Sequence, residues 1–372
     1  MNRMLSLDEI GLIPSKEPTN IMSRSKVDPY TDDTYMPYRH GLEKGNFFPV
    51  FVSPMTSVVN KENMCDFKKE GFIPILPRNY TFEERIELCK TDWVAFSLQE
   101  LYKINEDEIF DWKSEAYILI DIANGHIGNL YAEAKRLKER CKNIRLMVGN
   151  IANPTMYYAC CDAGIDYVRV GIGGGSVCTT SVQTGIHASL VWMIEEINKI
   201  KRSMPVSTCF PQVIADGGIN TIDRMIKCLA LGYDYVMVGK LFAKSDKACG
   251  EQRVKITTNS NDVIYLYEDP KVDFGKLLPD MTGDIKNFCC ERVYYGMASE
   301  LGQNAISGGV CKNPEGIVSW VPVEYSLNDF RLKFEASLRS TMSYIGAYDL
   351  HELKLKTTYL PMSQTEFNAY YK

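Results

Sequence analysis

One thiol in this chain stands inside a run of glycines and hydroxyls. Residues 170–184, VGIGGGSVCTTSVQT, set Gly171, Gly173, Gly174 and Gly175 ahead of Ser176, Cys178, Thr179 and Thr180. Glycine lets the backbone take left-handed or close-approach conformations, so such a loop can wrap a ligand while presenting a nucleophile. A thiolate is a strong nucleophile and a good leaving group, suited to covalent catalysis at an electrophilic carbon. A free cysteine is most often a small buried apolar side chain. The polar cradle around Cys178 argues against that here. A Cys/His hydrolase dyad stays open, although none of the four histidines sits in a partnering motif. The glycines also look like a dinucleotide fingerprint. They fail as one, because Gly171-x-Gly173-x-x leads to Ser176 and a cysteine loop instead of a helix.

Two further motifs carry glycines at the ends of apolar runs. One is Ile214-Ala215-Asp216-Gly217-Gly218-Ile219 and the other Val236-Met237-Val238-Gly239. Backbone N–H groups in such turns, with a helix N-terminus behind them, hold phosphate in many enzymes. Asp216, just before the glycines, is placed to bind ribose hydroxyls. Each motif alone could be an ordinary tight turn. Together with the Cys178 loop they point to a nucleoside-monophosphate site. A third stretch, Tyr294-Tyr295-Gly296-Met297-Ala298-Ser299-Glu300, ends on an acid that sequence chemistry alone leaves without a role.

Something must bring these stretches together. Short apolar or β-branched runs recur at residues 48–53, 72–76, 93–96, 116–122, 144–148, 166–170, 212–215 and 234–238. Helical-length segments with charged faces separate most of them, such as 81–89, 129–141 and 221–232. Eight strand–helix units favour a closed (β/α)8 barrel, a TIM barrel of the α/β class, over an open sheet. Ser53-Pro54-Met55, Pro77-Arg78-Asn79, Asp121-Ile122-Ala123-Asn124-Gly125, Gly149-Asn150, the Cys178 loop, Asp216-Gly217-Gly218 and Gly239 all follow directly after strand runs. In a barrel those positions form one rim, where active sites are built.

The chain of 372 residues, 45% of them apolar, is long enough for a sizeable core. We expect one barrel domain over residues 1–372, with residues 1–48 as an N-terminal arm. Residues 243–299 are long, polar and irregular, and are expected to form an active-site flap or insertion after strand eight. Within them 263–267 reads as a hairpin strand. Residues 327–343 return to helical periodicity as the eighth barrel helix, and 357–372 read as a tail without clear pattern. A net charge of −5 argues against a nucleic-acid surface. No run approaches the roughly 18 apolar residues of a membrane span, and no charged-then-apolar leader opens the chain. Twelve cysteines without a CxxC pair fit a reducing, cytoplasmic setting, most of them as small buried side chains.

GIGGGSVCTT, IADGGI, VMVGKLFA, YYGMASE and SPMTSV together resemble the IMP dehydrogenase and GMP reductase family, over roughly residues 10–355 with a break between about 252 and 290. The resemblance implies a (β/α)8 barrel assembled as a homotetramer. Within the family, Asp121-Ile122-Ala123-Asn124-Gly125 resembles the DVANG of GMP reductases. Cys178-Thr179-Thr180 with Thr184-Gly185 resembles the reductase CTTxxxTG, and 295–300 resembles the reductase YGMSSE. No Arg-Tyr pair of the kind a dehydrogenase uses to activate water follows Glu300. Residues 80–115 leave no room for the regulatory domain pair that most dehydrogenases carry.

The function implied is NADPH-dependent reductive deamination of a guanine nucleotide to IMP and ammonia, with NADH as the alternative reductant. By the same resemblance Cys178 attacks purine C2, while Thr180 and Glu300 manage protons for the departing ammonia. The substrate set is Ser53, Met55, Ser176, Asp216, Gly217, Gly218, Gly239, Lys240, Tyr295, Gly296, Met297 and Ser299. The cofactor set is Arg78, Asp121, Ala123, Asn124, Gly125 and Asn150. Gly171, Gly173 and Cys178 match a loop that binds a monovalent cation, K+, in family members. The departures are Gly174 for the usual proline, Ser181 for a basic residue, Lys240 for a small one, and Glu335-Ala336-Ser337 in place of Gly-Gly. They mark a divergent member. NAD-dependent oxidation of IMP to XMP is the runner-up, and a nucleotide-binding protein with altered catalysis on the same barrel is the third reading.

Overall fold

The computed structural model describes residues 4–32, 47–106, 115–175, 177–267, 285–307 and 314–370. Near the N-terminus a short strand, β1 (Ile10–Ile13), is followed by eight parallel strands that close into a barrel. These are β2 (Val50–Val52), β3 (Ile73–Leu76), β4 (Trp93–Phe96), β5 (Ala116–Asp121), β6 (Ile144–Ile151), β7 (Tyr167–Val170), β8 (Gln212–Asp216) and β9 (Tyr235–Val238). The barrel closes where Val50, Phe51 and Val52 pair with Val236, Met237 and Val238. All eight expected strand runs are strands, in the expected order.

Helices follow the strands for local reasons. Helix Phe82–Leu88 starts at a capping box, in which Thr81 Oγ1 accepts from Glu84 N and Glu84 Oε2 accepts from Thr81 N. Helix Leu190–Ser203 is capped by Ser189, and Ile222–Leu231 ends on Gly232 at φ +115°, a left-handed C-terminal cap. Helix Leu327–Ile345 completes the outer ring. It buries Phe330, Phe334, Leu338 and Met342, one residue per turn, against the barrel.

The pleat sorts the strand residues into two cores. Alternate side chains turn outward to the helices, such as Val50, Val52, Ile118, Ile120, Val168 and Val170. The others turn inward and fill the barrel: Phe51, Ile73, Ile75, Trp93, Ala95, Tyr117, Leu119, Met147, Tyr167, Ile214, Tyr235 and Met237. Phe51, Trp93 and Tyr167 meet edge-to-face with centroids 5.2–6.3 Å apart. The barrel centre is thus a packed plug and not a channel.

After β9 the chain builds a four-stranded antiparallel sheet, ordered β11-β10-β12-β13. Its strands are β10 (Gln252–Thr258), β11 (Val263–Tyr267), β12 (Ile285–Tyr295) and β13 (Val318–Pro322). The hairpin strand expected at 263–267 is present. The sheet also runs past residue 299, the expected end of the insertion, because β13 pairs back onto β12. Arg253 lies between the rings of Tyr265 and Trp320, 3.9 and 4.0 Å from their centroids, and pairs with Glu291 at 2.7 Å.

The C-terminal stretch differs from the patternless tail expected. Thr358–Pro361 forms β14, antiparallel to β1, and helix Gln364–Tyr370 follows. A four-residue strand whose partner lies at the other end of the chain carries no local signature. No helix among the described residues is long and apolar enough to cross a membrane.

Candidate active site

The inward-facing positions continue past the apolar plug at the C-terminal ends of the strands. Counting by two from Tyr117 and Leu119 reaches Asp121. From Tyr167 the same step reaches Arg169, from Ile214 it reaches Asp216, and from Phe51 it reaches Ser53. Polar side chains therefore cap the plug and floor a cavity of about 220 Å³ on the barrel rim. The glycine loop, the Asp216 turn, Gly239 and the 294–297 segment wall it.

Arg169 is the hub of the floor. Its Nη1 donates to Asp121 Oδ1 at 2.6 Å, and its Nε and Nη2 donate to Asp216 Oδ2 at 3.1 and 2.8 Å. Burial works against the charge, but Asp216 and Asp121 together hold the guanidinium pKa above its ordinary value. Burial likewise works to raise the Asp121 pKa. The charges of Arg169 and Arg78 outweigh it, and the carboxyl ends below the usual range. Asn150 adds a donor, giving to Gly171 O at 2.7 Å and to Asp216 Oδ2 at 2.8 Å. All three donors fall on Oδ2. Among the described residues Asp216 Oδ1 accepts nothing, so it is available to a ligand hydroxyl. Arg169 was not among the residues expected here. Its signal lay in the sequence nonetheless, since an arginine in an otherwise apolar buried strand must find a carboxylate.

The thiol sits at the edge of this floor. Cys178 is half-buried, with Sγ donating to Thr180 Oγ1 at 3.2 Å, and Thr180 Oγ1 donates to Glu315 Oε2 at 2.7 Å. A single hydrogen-bonded chain thus runs from thiol to carboxylate. Glu315 is held there by backbone pairing. Thr179 N donates to Glu315 O, Glu315 N donates to Ala298 O, and Ile317 N donates to Val177 O. Gly316 allows the close approach, since a Cβ there would come within 3.1 Å of Ser299 N and 3.2 Å of Val177 O.

The acid that faces Thr180 is therefore Glu315, and the expectation for Glu300 is corrected. Glu300 begins helix Glu300–Ser307 with its side chain exposed. Ser299, expected to touch substrate, is fully buried as the cap of that helix, giving to Gly296 O and accepting from Gly302 N. Tyr295 turns away as well, its hydroxyl accepting from Thr56 Oγ1 at 3.2 Å. Its neighbour Tyr294 lines the cavity instead, because adjacent strand residues face opposite sides.

Of the residues expected to touch substrate, Ser53, Met55, Gly217, Gly218, Gly239, Lys240, Gly296 and Met297 line the cavity, and Gly171, Gly173, Asp121 and Asn150 line it with them. A side chain at Gly239 would collide with Met55 Sδ and the Tyr294 hydroxyl. Lys240 has no ion-pair partner among the described residues, leaving its charge to the cavity. Ser176 lies outside the described residues. Among the positions expected to hold a cofactor, Arg78 Nε is buried without a hydrogen-bond partner among the described residues, 3.8 Å from Asp121 Oδ2. Ala123 and Asn124 are exposed on the same rim, and Gly125 is buried.

The other cysteines differ from Cys178. Cys89, Cys141, Cys160 and Cys228 are buried, and burial pushes the Cys89 and Cys160 thiols up to about 12. No disulfide joins the cysteines among the described residues.

Comparison with known proteins places the chain. Residues 107–262 match the IMP dehydrogenase / GMP reductase domain. The chain is 26% identical to a protein named GMP reductase from Helicobacter pylori strain G27, over 99% of both chains. It is 27% identical to one of that name from Shewanella halifaxensis, over 97% of this chain and 96% of the relative. A protein named inosine-5′-monophosphate dehydrogenase from Streptococcus pyogenes is 30% identical over 69% of this chain and 47% of its own length.

Proposed function

The chain belongs to the IMP dehydrogenase/GMP reductase family, and from that premise we propose that it is a GMP reductase, converting GMP to IMP and ammonia with NADPH. The observation that carries this reading is the chain Cys178–Thr180–Glu315. It joins a nucleophile to an acid/base pair within hydrogen-bond reach.

The residues divide the work as follows. Lys240 and the backbone of Gly218 and Gly239, with Ser176, take the 5′-phosphate. Asp216 Oδ1 takes the ribose hydroxyls while Arg169 and Asn150 hold its other oxygen. Glu315 draws the thiol proton through Thr180, and Cys178 Sγ bonds to purine C2. The proton returns along the same path to the 2-amino group, which departs as ammonia and leaves a neutral C2–S adduct with its C2=N3 double bond restored. The reduced nicotinamide, when bound, supplies the hydride that C2 accepts. The C–S bond then breaks, its electron pair staying on sulfur. The balance is GMP, NADPH and two protons to IMP, ammonium and NADP+.

Arg78 and Asp121 fit a place for the cofactor on the rim, since Arg78 Nε is an orphaned donor there. The carbonyls of Gly171 and Gly173 already accept from Asn150 Nδ2 and Ser181 Oγ. The reading includes a cytoplasmic homotetramer, which light scattering of the purified protein tests.

The deciding experiment mixes the protein with GMP and NADPH and follows loss of reduced-nicotinamide absorbance together with ammonia release. Formation of NADH from IMP and NAD would instead establish the dehydrogenase. That second reading is supported by the 30% identity to a dehydrogenase. Binding of nucleotide without turnover in either direction would leave the altered binding protein.

A further inference from the structure

The N-terminal arm lies against the back of the turn that carries Asp216, Gly217 and Gly218. Arg224, on helix Ile222–Leu231, joins the two. Its Nη1 donates to Gly218 O at 2.7 Å and to Asn220 Oδ1 at 2.8 Å. Its Nε donates to Asp8 Oδ1 at 2.8 Å and its Nη2 to Asp8 Oδ2, a two-pronged pair of the kind only arginine makes. The arm itself is anchored. Lys227 Nζ donates to Leu7 O at 2.9 Å, Ser189 Oγ donates to Leu5 O, Met362 N donates to Glu9 O, and β1 pairs with β14.

Between the arm and the glycine loop lies a cavity of about 160 Å³, lined by Leu7, Asp8, Gly171, Gly174, Gly218 and Arg224. Tight apolar packing therefore does not hold the turn from this side, and the guanidinium does. The turn needs such a hold. Gly217 and Gly218 sit at φ +92° and +75°, a left-handed pair with much freedom to lose. Their peptide units are planar, so the N–H of Ile219 points opposite to the Gly218 carbonyl. Fixing that carbonyl on Arg224 aims the N–H away from the arm. Ile219 and Asn220 line the nucleotide cavity.

We propose that Arg224 is a positioning residue that holds the phosphate-side turn in its anion-binding shape, and that Asp8 holds Arg224, which makes the N-terminal arm part of the nucleotide site. The proposal rests on the purine-nucleotide reading given above. It assigns the arm a role in affinity for the phosphate and none in the chemistry at C2.

The test compares GMP with guanosine, which lacks the phosphate, by calorimetry on the full chain. Arg224→Met is expected to weaken GMP binding about tenfold or more, the range of a charge-assisted hydrogen bond, and to leave guanosine binding within about twofold. Asp8→Asn should act in the same direction and more weakly, and the double variant should be no worse than Arg224→Met. Arg224→Lys should recover part of the loss, and in turnover the GMP KM should rise with kcat retained. Unchanged GMP affinity, or equal weakening of GMP and guanosine, would overturn the proposal. Should Arg224→Met not fold, Asp8→Asn, which leaves the guanidinium in place, carries the same comparison. A wild-type protein that binds no GMP would instead overturn the nucleotide reading, and this proposal with it.

Discussion

Two layers of the same barrel interior differ by one step of the pleat. The lower layer holds Phe51, Trp93, Tyr117, Tyr167 and Tyr235 in edge-to-face packing. The upper layer, at the C-terminal ends of β5, β7 and β8 and also facing inward, holds Asp121, Arg169 and Asp216 in one ionic network. The lower layer fills space and excludes water. The upper layer could not survive there unpaired, because isolated buried charges are costly. Its members pair with one another, and among the described residues Asp216 Oδ1, on the cavity side, accepts no hydrogen bond. The comparison teaches that the barrel separates stability from binding by depth along each strand.

The largest expected effect breaks the chemistry above both layers. Cys178→Ala should reduce GMP-dependent NADPH oxidation to the uncatalysed background while GMP still binds; a retained reductase rate would sink the covalent mechanism. Glu315→Gln should lower kcat by about 10²–10⁴-fold, the usual worth of a positioned acid/base. Glu300→Gln should leave kcat close to wild type, and steady-state kinetics on the two variants decides between them.

Within the upper layer, Arg169→Met leaves Asp121 and Asp216 buried side by side. It should cost about 3–5 kcal/mol in urea unfolding and abolish nucleotide binding. In the lower layer, Trp93→Ala should cost a comparable 3–5 kcal/mol, yet the variant that remains folded should bind GMP nearly as well as wild type. Equal loss of binding in both would mean that the two layers are not separable.

The smallest effect is on acid stability. Asp121 titrates below its ordinary value in the folded protein. Its contribution is therefore complete above about pH 4, the unfolded range, and is lost as pH falls from there through the lower folded value. Unfolding midpoints measured from pH 5 to pH 3 should fall more steeply in wild type than in Asp121→Asn.

The periodicities that make strands and helices are local, so the eight-stranded rhythm was legible in residues 48–238 and the barrel with it. The capping box at Thr81 and the left-handed glycine at Gly232 acted over three or four residues and marked helix ends for the same reason. The Cys178 loop and the Asp216 turn were legible because glycine is required where the backbone turns left-handed or approaches closely, as at Gly171, Gly217 and Gly218. Tyr294 and Tyr295 show the limit. Which of two neighbours faces the cavity depends on strand phase, and no single residue reveals it.

The sequence by itself determined the barrel, the rim, the thiol in its glycine loop and the aspartate that opens the Gly217-Gly218 turn, because each rests on spacing within a few residues. Only the tertiary structure decided which carboxylate completes the relay. Thr180 and Glu315 are 135 residues apart, and their meeting depends on how residues 314–317 pair with the Cys178 loop and residue 298. The Arg169 network is the same case, drawing its carboxylates from two other strands. Contacts across such separations follow from how the barrel closes and from which strand ends come level, and those are properties of the folded chain.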